Sequence, residues 1–123
     1  MGQLAWVMLG GAAGSGARYL VGIVVTQRVG TSFPWGTLGI NLVGSLLLGL
    51  LWSWCDRGVL SPTSRTALGT GVLGGFTTYS TFSAEAAMLL SSGATGRAAA
   101  YLLATVIGGL AASFLGLWLG RGA

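Results

Sequence analysis

Hydrogen-bonding and helix-weakening residues are concentrated in the stretch GGFTTYSTFSAE, which covers residues 74–85. Glycines weaken a helix and hydroxyls compete for its backbone hydrogen bonds, so the stretch predicts a break in helical structure. A break frees backbone carbonyls, which can coordinate a cation; the alternative is that the hydroxyls only bond back to their own helix. The hydroxyl and aromatic side chains of the stretch are those of Thr77, Thr78, Tyr79, Ser80, Thr81, Phe82 and Ser83.

Other polar side chains lie within apolar segments on either side of this stretch. Asn41 shares a helix face with Thr37 and Ser45, because residues four apart lie on one side of a helix. Its amide can form a helix–helix hydrogen bond or donate from its NH2 group into a pore. Arg18 lies deep in the first apolar segment, where a charge indicates a pathway or a partner. Glu85 can pair with Arg18, bond to hydroxyls or act as a gate.

The elements that position these residues are predicted from composition. The chain has 123 residues, of which 53% are hydrophobic and only 7% are charged. A soluble domain usually has about 25% charged residues, so this chain cannot cover a water-facing surface. Four apolar segments are each long enough to cross a bilayer, which takes about 20 residues. We therefore predict one all-α transmembrane domain over residues 1–123, with helices at about 4–26, 35–55, 63–91 and 97–120.

The charge distribution predicts how the helices insert. Because the arginines are scattered and no soluble face carries a basic patch, the sequence argues against nucleic-acid binding. Arg57, Arg65 and Arg121 flank one side of the predicted helices, and Arg28 and Arg97 flank the other. Arginine bias sets orientation, and a bias this small predicts insertion in both directions. Dual topology and the prevalence of two-fold symmetry together predict an antiparallel homodimer in the lipid bilayer.

The polar groups within the apolar segments are mostly hydrogen-bond donors. They comprise hydroxyls, one amide, an arginine and the positively polarised edges of aromatic rings, against a single intramembrane acid. Moving even a carboxylate-sized ion from water into a low dielectric costs of the order of 20 kcal/mol. A narrow, donor-rich path can offset such a cost for a small anion, so the residues by themselves point to a pathway for a small anion.

Three segments carry a resemblance to a known family. GGAAGSGARYLVG, GTLGINLVGSLLLG and GVLGGFTTYSTFSAE resemble the Fluc (CrcB) family of fluoride channels, and the likeness extends over the whole chain. It implies an antiparallel, dual-topology homodimer in the bacterial inner membrane that exports fluoride passively and limits its toxicity in the cytoplasm. It also implies a broken third helix whose backbone carbonyls, at Gly74 and Thr77, hold a sodium ion at the dimer axis.

The resemblance also implies roles for individual residues. Arg18 matches a basic vestibule position, and Glu85 matches the acid that follows the motif. Tyr79 stands where phenylalanine is usual, and Gly109 lacks the hydroxyl that the family's fourth helix offers at that register. The fluoride pathway implied by the matching positions consists of Asn41, Tyr79, Ser80, Thr81, Phe82, Thr105 and Ser113.

Other classes of protein fit the sequence less well. Small dual-topology drug exporters carry an acid in the first helix, whereas this helix carries Arg18 and no acid. A membrane scaffold subunit would explain small-residue pairs such as Gly10 and Gly14, but not the polar centre. The chain has no histidine and no evident nucleophile–base pair, so we do not expect an enzyme.

Overall fold

The computed structural model describes residues 1–122, and within that range it contains helices and no strand. The all-α class predicted from the sequence is confirmed. A π-helical segment, Thr66–Leu73, lies between the third and fourth α-helices. The α-helices are α1 (Gly2–Val29), α2 (Trp35–Asp56), α3 (Pro62–Arg65), α4 (Gly74–Phe76), α5 (Tyr79–Ser91) and α6 (Thr95–Gly122).

Within residues 1–122, three helices, α1, α2 and α6, are long and apolar enough to cross a membrane. They have 28, 22 and 28 residues. At a rise of about 1.5 Å per residue, each exceeds a hydrocarbon core of about 30 Å. Large apolar side chains cover their outer faces; Tyr19, Phe114 and Trp118 are each more than 60% exposed. Such a surface suits lipid or another subunit and would be a liability in water.

The chain between α2 and α6 is interrupted at two threonines. Thr77 (φ −85°, ψ 159°) and Thr78 (φ −151°, ψ 122°) have extended backbone, and they separate α4 from α5. The Thr78 hydroxyl accepts a hydrogen bond from the Thr81 backbone N–H at 3.2 Å, which caps the first turn of α5. Threonine is a favoured N-cap because its oxygen satisfies a donor that has no partner within the helix.

Short loops connect the helices. Gly30 ends α1 with φ 81°, and its N–H donates to the Thr26 carbonyl at 2.9 Å. A positive φ is readily adopted only by glycine. At the start of α3, the Ser61 hydroxyl accepts from the Ser64 backbone N–H at 3.1 Å, and Pro62 occupies the first turn, where its missing N–H is not needed. These loops therefore end and begin helices where turn chemistry predicts.

Close helix packing places the interrupted region between α1 and α2. The longest packing seam joins α2 to α6, and α1 packs against the π-helical segment and α4. Gly14 of α1 lies against the carbonyl oxygen of Val72, and Gly116 of α6 lies against that of Leu46, with no room for a Cβ at either glycine. Small residues let helix backbones approach in this way. The two seams hold Thr77 and Thr78 beside α2.

Candidate functional site

Asn41 of α2 forms a two-point hydrogen-bonded pair with the backbone of Thr78. Its Nδ2 donates to the Thr78 carbonyl at 2.9 Å, and the Thr78 N–H donates to its Oδ1 at 2.9 Å. An amide side chain can do this because it carries both a donor and an acceptor, as a backbone peptide does. Asn41 thus satisfies the extended backbone at the interruption, and a buried backbone without partners would be costly.

The interruption changes the hydrogen bonding of two carbonyls, one through the Asn41–Thr78 pair and one through the Thr78 cap. In a regular α-helix the Gly74 carbonyl would accept from the Thr78 N–H, but that N–H donates to Asn41. The Thr77 carbonyl would accept from the Thr81 N–H, but that N–H donates to the Thr78 hydroxyl. The usual helical donors for both carbonyls are therefore directed elsewhere, and the two oxygens are left as candidate ligands for a cation.

The hydroxyl groups of the stretch fall into different environments. The Thr77 hydroxyl donates to the Leu73 carbonyl at 2.9 Å, back into its own helix. Thr78 caps α5, whereas Ser80 and Thr81 are exposed. The Thr77 hydroxyl therefore bonds back to its own helix, which is one of the two possibilities that the sequence left open. Ser80 and Thr81 instead lie on the exposed surface of α5.

Two aromatic rings differ in burial although they belong to the same turn of α5. Tyr79 is 78% exposed and Phe82 is 7% exposed. Their ring centroids are 5.9 Å apart with an interplanar angle of 67°, an edge-on arrangement. Phe82 also meets Tyr101 of α6 at 5.1 Å and 72°. Phe82 therefore joins the polar break to α6, and it lines a cavity together with Asn41 and Thr105.

Glu85 bonds to hydroxyls. Its Oε1 accepts from the Thr37 hydroxyl at 2.6 Å and lies 3.4 Å from the Tyr101 hydroxyl. Of the three alternatives that the sequence left open for this residue, these contacts match hydroxyl bonding. Arg18 lines the same cavity as Glu85 and is partly buried. The structure thus brings together the Arg18 guanidinium of α1, the Glu85 carboxylate of α5, and the hydroxyls of Thr37 on α2 and Tyr101 on α6.

The row of α6 residues spaced by four includes one hydroxyl without a partner. Thr105 Oγ1 is buried and has no hydrogen-bond partner among the described residues. A Cβ added at Gly109 would lie 3.8 Å from Ser45 Oγ of α2. Because Gly109 has no side chain, the row has no hydroxyl at this position beside α2. Ser113 packs its backbone carbonyl against Gly49. Tyr101 begins the same row; sequence reasoning missed it, although its spacing of four from Thr105 was a usable signal.

Two cavities meet at Thr78. A cavity of about 1060 Å³ lies on the side of the α1–α2 loop, and one of about 390 Å³ lies between α2, α5 and α6. Of the sequence-predicted residues that the structure describes, Ser80 and Ser113 line neither. The larger cavity is lined in part by Arg18, Thr37, Thr78, Thr81, Glu85 and Arg97. The smaller is lined in part by Asn41, Gly74, Thr77, Tyr79, Phe82 and Thr105.

A chain with three helices that are long and apolar enough to cross a membrane is a small multi-pass membrane protein, and polar side chains gather where α4 meets α5. A family model described as "CrcB-like protein, Camphor Resistance (CrcB)" matches residues 5–117. The chain belongs to this CrcB family, as its sequence predicts. The family relation and the three apolar helices place it as a multi-pass protein in the bacterial membrane.

Similar proteins from several bacteria carry one functional name. A protein of Agrobacterium fabrum, named "Fluoride-specific ion channel FluC", is 50% identical over 120 residues, which is 97% of this chain and 96% of that protein. Proteins with the same name from Chelativorans sp. and Novosphingobium aromaticivorans are 47% and 45% identical over 98% and 99% of this chain, and the likeness covers 98% of each of them. The family is thus one of ion channels rather than enzymes.

Proposed function

We propose that this protein is a fluoride-selective channel that exports fluoride passively, down its electrochemical gradient, and so reduces fluoride toxicity in the cytoplasm. Relatives that align with nearly the whole chain are named fluoride-specific ion channels. The polar groups of the site have the chemistry that a small, strongly hydrated anion requires, because hydroxyls, an amide and ring edges can replace its water.

The observation that carries the proposal is the position of the unpartnered Thr105 hydroxyl, which lines the smaller cavity, whereas the other unpartnered buried hydroxyl in the described part of the chain, that of Ser53, lines neither cavity. Buried polar atoms almost always have a hydrogen-bond partner, and a missing partner costs about 1–3 kcal/mol. Thr105 Oγ1 lines the smaller cavity together with Asn41 and Phe82. A fluoride ion in that cavity would accept the Thr105 hydrogen and face the edge of the Phe82 ring. When the fluoride ion leaves, a water molecule would take its place and accept the same hydrogen bond from Thr105.

The larger cavity supplies an entrance to this path. Arg18 and Arg97 line it, and their positive charge raises the local concentration of an anion. Because Thr78 lines both cavities, an ion leaving the larger one meets the Asn41–Thr78 pair before it reaches Thr105. The Thr81 hydroxyl lines the larger cavity and so lies on this route. Ser80 and Ser113 line neither cavity, and we propose that they meet the ion outside the two cavities.

We further propose that the working unit is an antiparallel homodimer, in which α3 to α5 form one interrupted membrane span. Four spans per chain place both termini on one side, and the near-equal arginine counts of the two sides allow either orientation. The exposed Tyr79 ring and the exposed apolar faces of α1 and α6 provide surface for a second copy. A two-fold axis is the commonest symmetry of small oligomers.

A sodium ion at the dimer axis fits the residues at the interruption. The carbonyls of Gly74 and Thr77, whose helical donors are directed elsewhere, would hold it. Within residues 1–122 no group of three or more His, Cys, Asp or Glu side chains could hold a metal ion. When bound, such a cation would supply positive charge that neutralises carbonyl dipoles at the break.

Fluoride flux from liposomes tests the function. Purified protein is reconstituted into liposomes loaded with potassium fluoride, and release is followed with a fluoride electrode after a potassium ionophore is added. We expect release only with the ionophore, because passive movement of an anion alone builds up an opposing voltage. Liposomes loaded with chloride are the control and should retain it. Equal release of both anions, or of neither, contradicts the proposal.

A reporter at the C-terminus tests dual topology. In cells, we expect the reporter to be detected on both sides of the membrane, because the two sides carry three and two arginines. The variant Arg28→Gln is the matched control: it reduces the second count to one, so its C-terminus should move to the cytoplasmic side. A wild-type reporter on one side only contradicts dual topology and the antiparallel dimer.

A further inference from the structure

A continuous row of aromatic rings connects the polar break with the α1–α2 loop. The Tyr79 and Phe82 centroids are 5.9 Å apart, and those of Phe82 and Tyr101 are 5.1 Å apart. The row continues from Tyr101 to Phe33 at 5.6 Å and from Phe33 to Trp35 at 4.6 Å. The first two of these rings belong to the proposed pathway. Phe33 belongs to the α1–α2 loop and Trp35 begins α2, and the function above uses neither ring.

Phe33 is held in place by the loop that carries it. Arg97 Nη1 donates to the Ser32 carbonyl at 2.8 Å, which ties this loop to the start of α6. The Trp35 N–H donates to the Phe33 carbonyl at 2.8 Å. Phe33 is partly buried, lines the larger cavity and packs on the core cluster that contains Phe82 and Tyr101. Its ring is therefore fixed relative to α6 by contacts on both sides.

Tyr101 lies between Phe33 and Phe82, with both rings edge-on to it at 77° and 72°. Its side chain is fully buried, and its hydroxyl points to the Glu85 carboxylate at 3.4 Å. Rotation of the Tyr101 ring is thus limited by one neighbour from the pathway and one from the loop. Glu85 also accepts a hydrogen bond from Thr37. The Thr37 and Tyr101 hydroxyls together therefore set the position of the Glu85 carboxylate in the larger cavity.

We propose that Phe33 is a positioning residue for ion entry, which acts by holding the Tyr101 ring so that its hydroxyl engages Glu85. The inference rests on the fluoride-channel function proposed above. Without Phe33, the Tyr101 ring loses its packing contact on the loop side. The Tyr101 hydroxyl then no longer donates to the Glu85 carboxylate, which is no longer held on that side of the cavity. An anion entering past Arg18 then meets a less restrained carboxylate.

A double-mutant cycle tests this. Fluoride release from liposomes is measured for Phe33→Ala, Tyr101→Phe, the double variant and the conservative variant Phe33→Tyr. We expect Phe33→Ala to lower the flux by roughly two- to tenfold, the range that corresponds to one aromatic pair. If Phe33 acts through the Tyr101 hydroxyl, the double variant should have the flux of Tyr101→Phe alone, and Phe33→Tyr should restore the wild-type value.

The outcomes separate this inference from the function itself. Absence of fluoride flux in the wild type defeats the channel, whereas wild-type flux in Phe33→Ala, or additive losses in the double variant, defeats only the role of Phe33. If Phe33→Ala does not assemble, Phe33→Leu fills a similar volume without ring edges and serves in the same cycle. Val59→Ala is the matched control, because this side chain is 59% exposed in the loop between α2 and α3, away from both cavities, and its flux should equal wild type.

Discussion

Replacing Asn41 with aspartate is expected to abolish fluoride flux. In the wild type, Nδ2 donates to the Thr78 carbonyl and Oδ1 accepts from the Thr78 N–H, both at 2.9 Å. A carboxylate retains the acceptor but loses the donor, and it places a negative oxygen against the Thr78 carbonyl. Leaving a buried donor or acceptor without its partner costs about 1–3 kcal/mol, and here the cost destabilises the backbone at the interruption.

The added charge acts on the ion as well as on the backbone. Asn41 lines the smaller cavity with Thr105, so a carboxylate there repels the anion that the cavity is proposed to hold. At an effective dielectric constant of about 20, two unit charges 4 Å apart interact by about 4 kcal/mol. This repulsion adds to the lost hydrogen bond, so we expect flux at least about a hundredfold below wild type.

Two comparisons identify the cause of the loss. Asn41→Ala removes both hydrogen bonds without adding charge and should retain more flux than Asn41→Asp. Gly39→Ala, on the same helix, is the matched control, because a Cβ there meets nothing within 4 Å. Fluoride efflux and the assembly state in detergent are measured for all three. Flux of Asn41→Asp within threefold of wild type would show that this amide lies outside the ion path.

The sequence predicts the class of structure better than it predicts the contacts at its centre. A hydrophobic segment of membrane length can satisfy all its backbone hydrogen bonds by forming a helix, so α1, α2 and α6 follow from local composition. The interruption at Thr77 and Thr78 lies within the glycine- and hydroxyl-rich stretch for the same local reason. These features depend on residues close together in the chain.

Contacts between distant residues could not be read from the chain in this way. Asn41 is 37 residues from Thr78, and helix spacing alone left its amide free to face either a neighbouring helix or a pore. The Thr37–Glu85 bond joins residues 48 apart. Tyr101 was missed because an aromatic residue in an apolar segment resembles ordinary core packing until Phe33, Phe82 and Glu85 are seen around it. Such partners are set by how the helices pack.

Replacing Phe82 with isoleucine is expected to lower fluoride flux strongly while leaving the protein assembled. Phe82 is 7% exposed and meets Tyr79 and Tyr101 through edge-on contacts. Isoleucine keeps an apolar side chain in the core but has no polarised ring edge for an anion. The ring edge is proposed to stabilise the passing anion, so we expect its loss to slow efflux by roughly tenfold or more.

The same measurement decides between two roles of Phe82. It belongs to the core cluster with Leu38, Ala86 and Tyr101, so a purely structural role predicts poor assembly together with low flux. A role in the pathway predicts low flux from a protein that still elutes as the assembled species. Val59→Ile changes an exposed apolar side chain in the loop between α2 and α3, and it should conduct as wild type does. Both roles predict low flux in Phe82→Ile. Wild-type flux in this variant would therefore show that the ion path lies away from this ring.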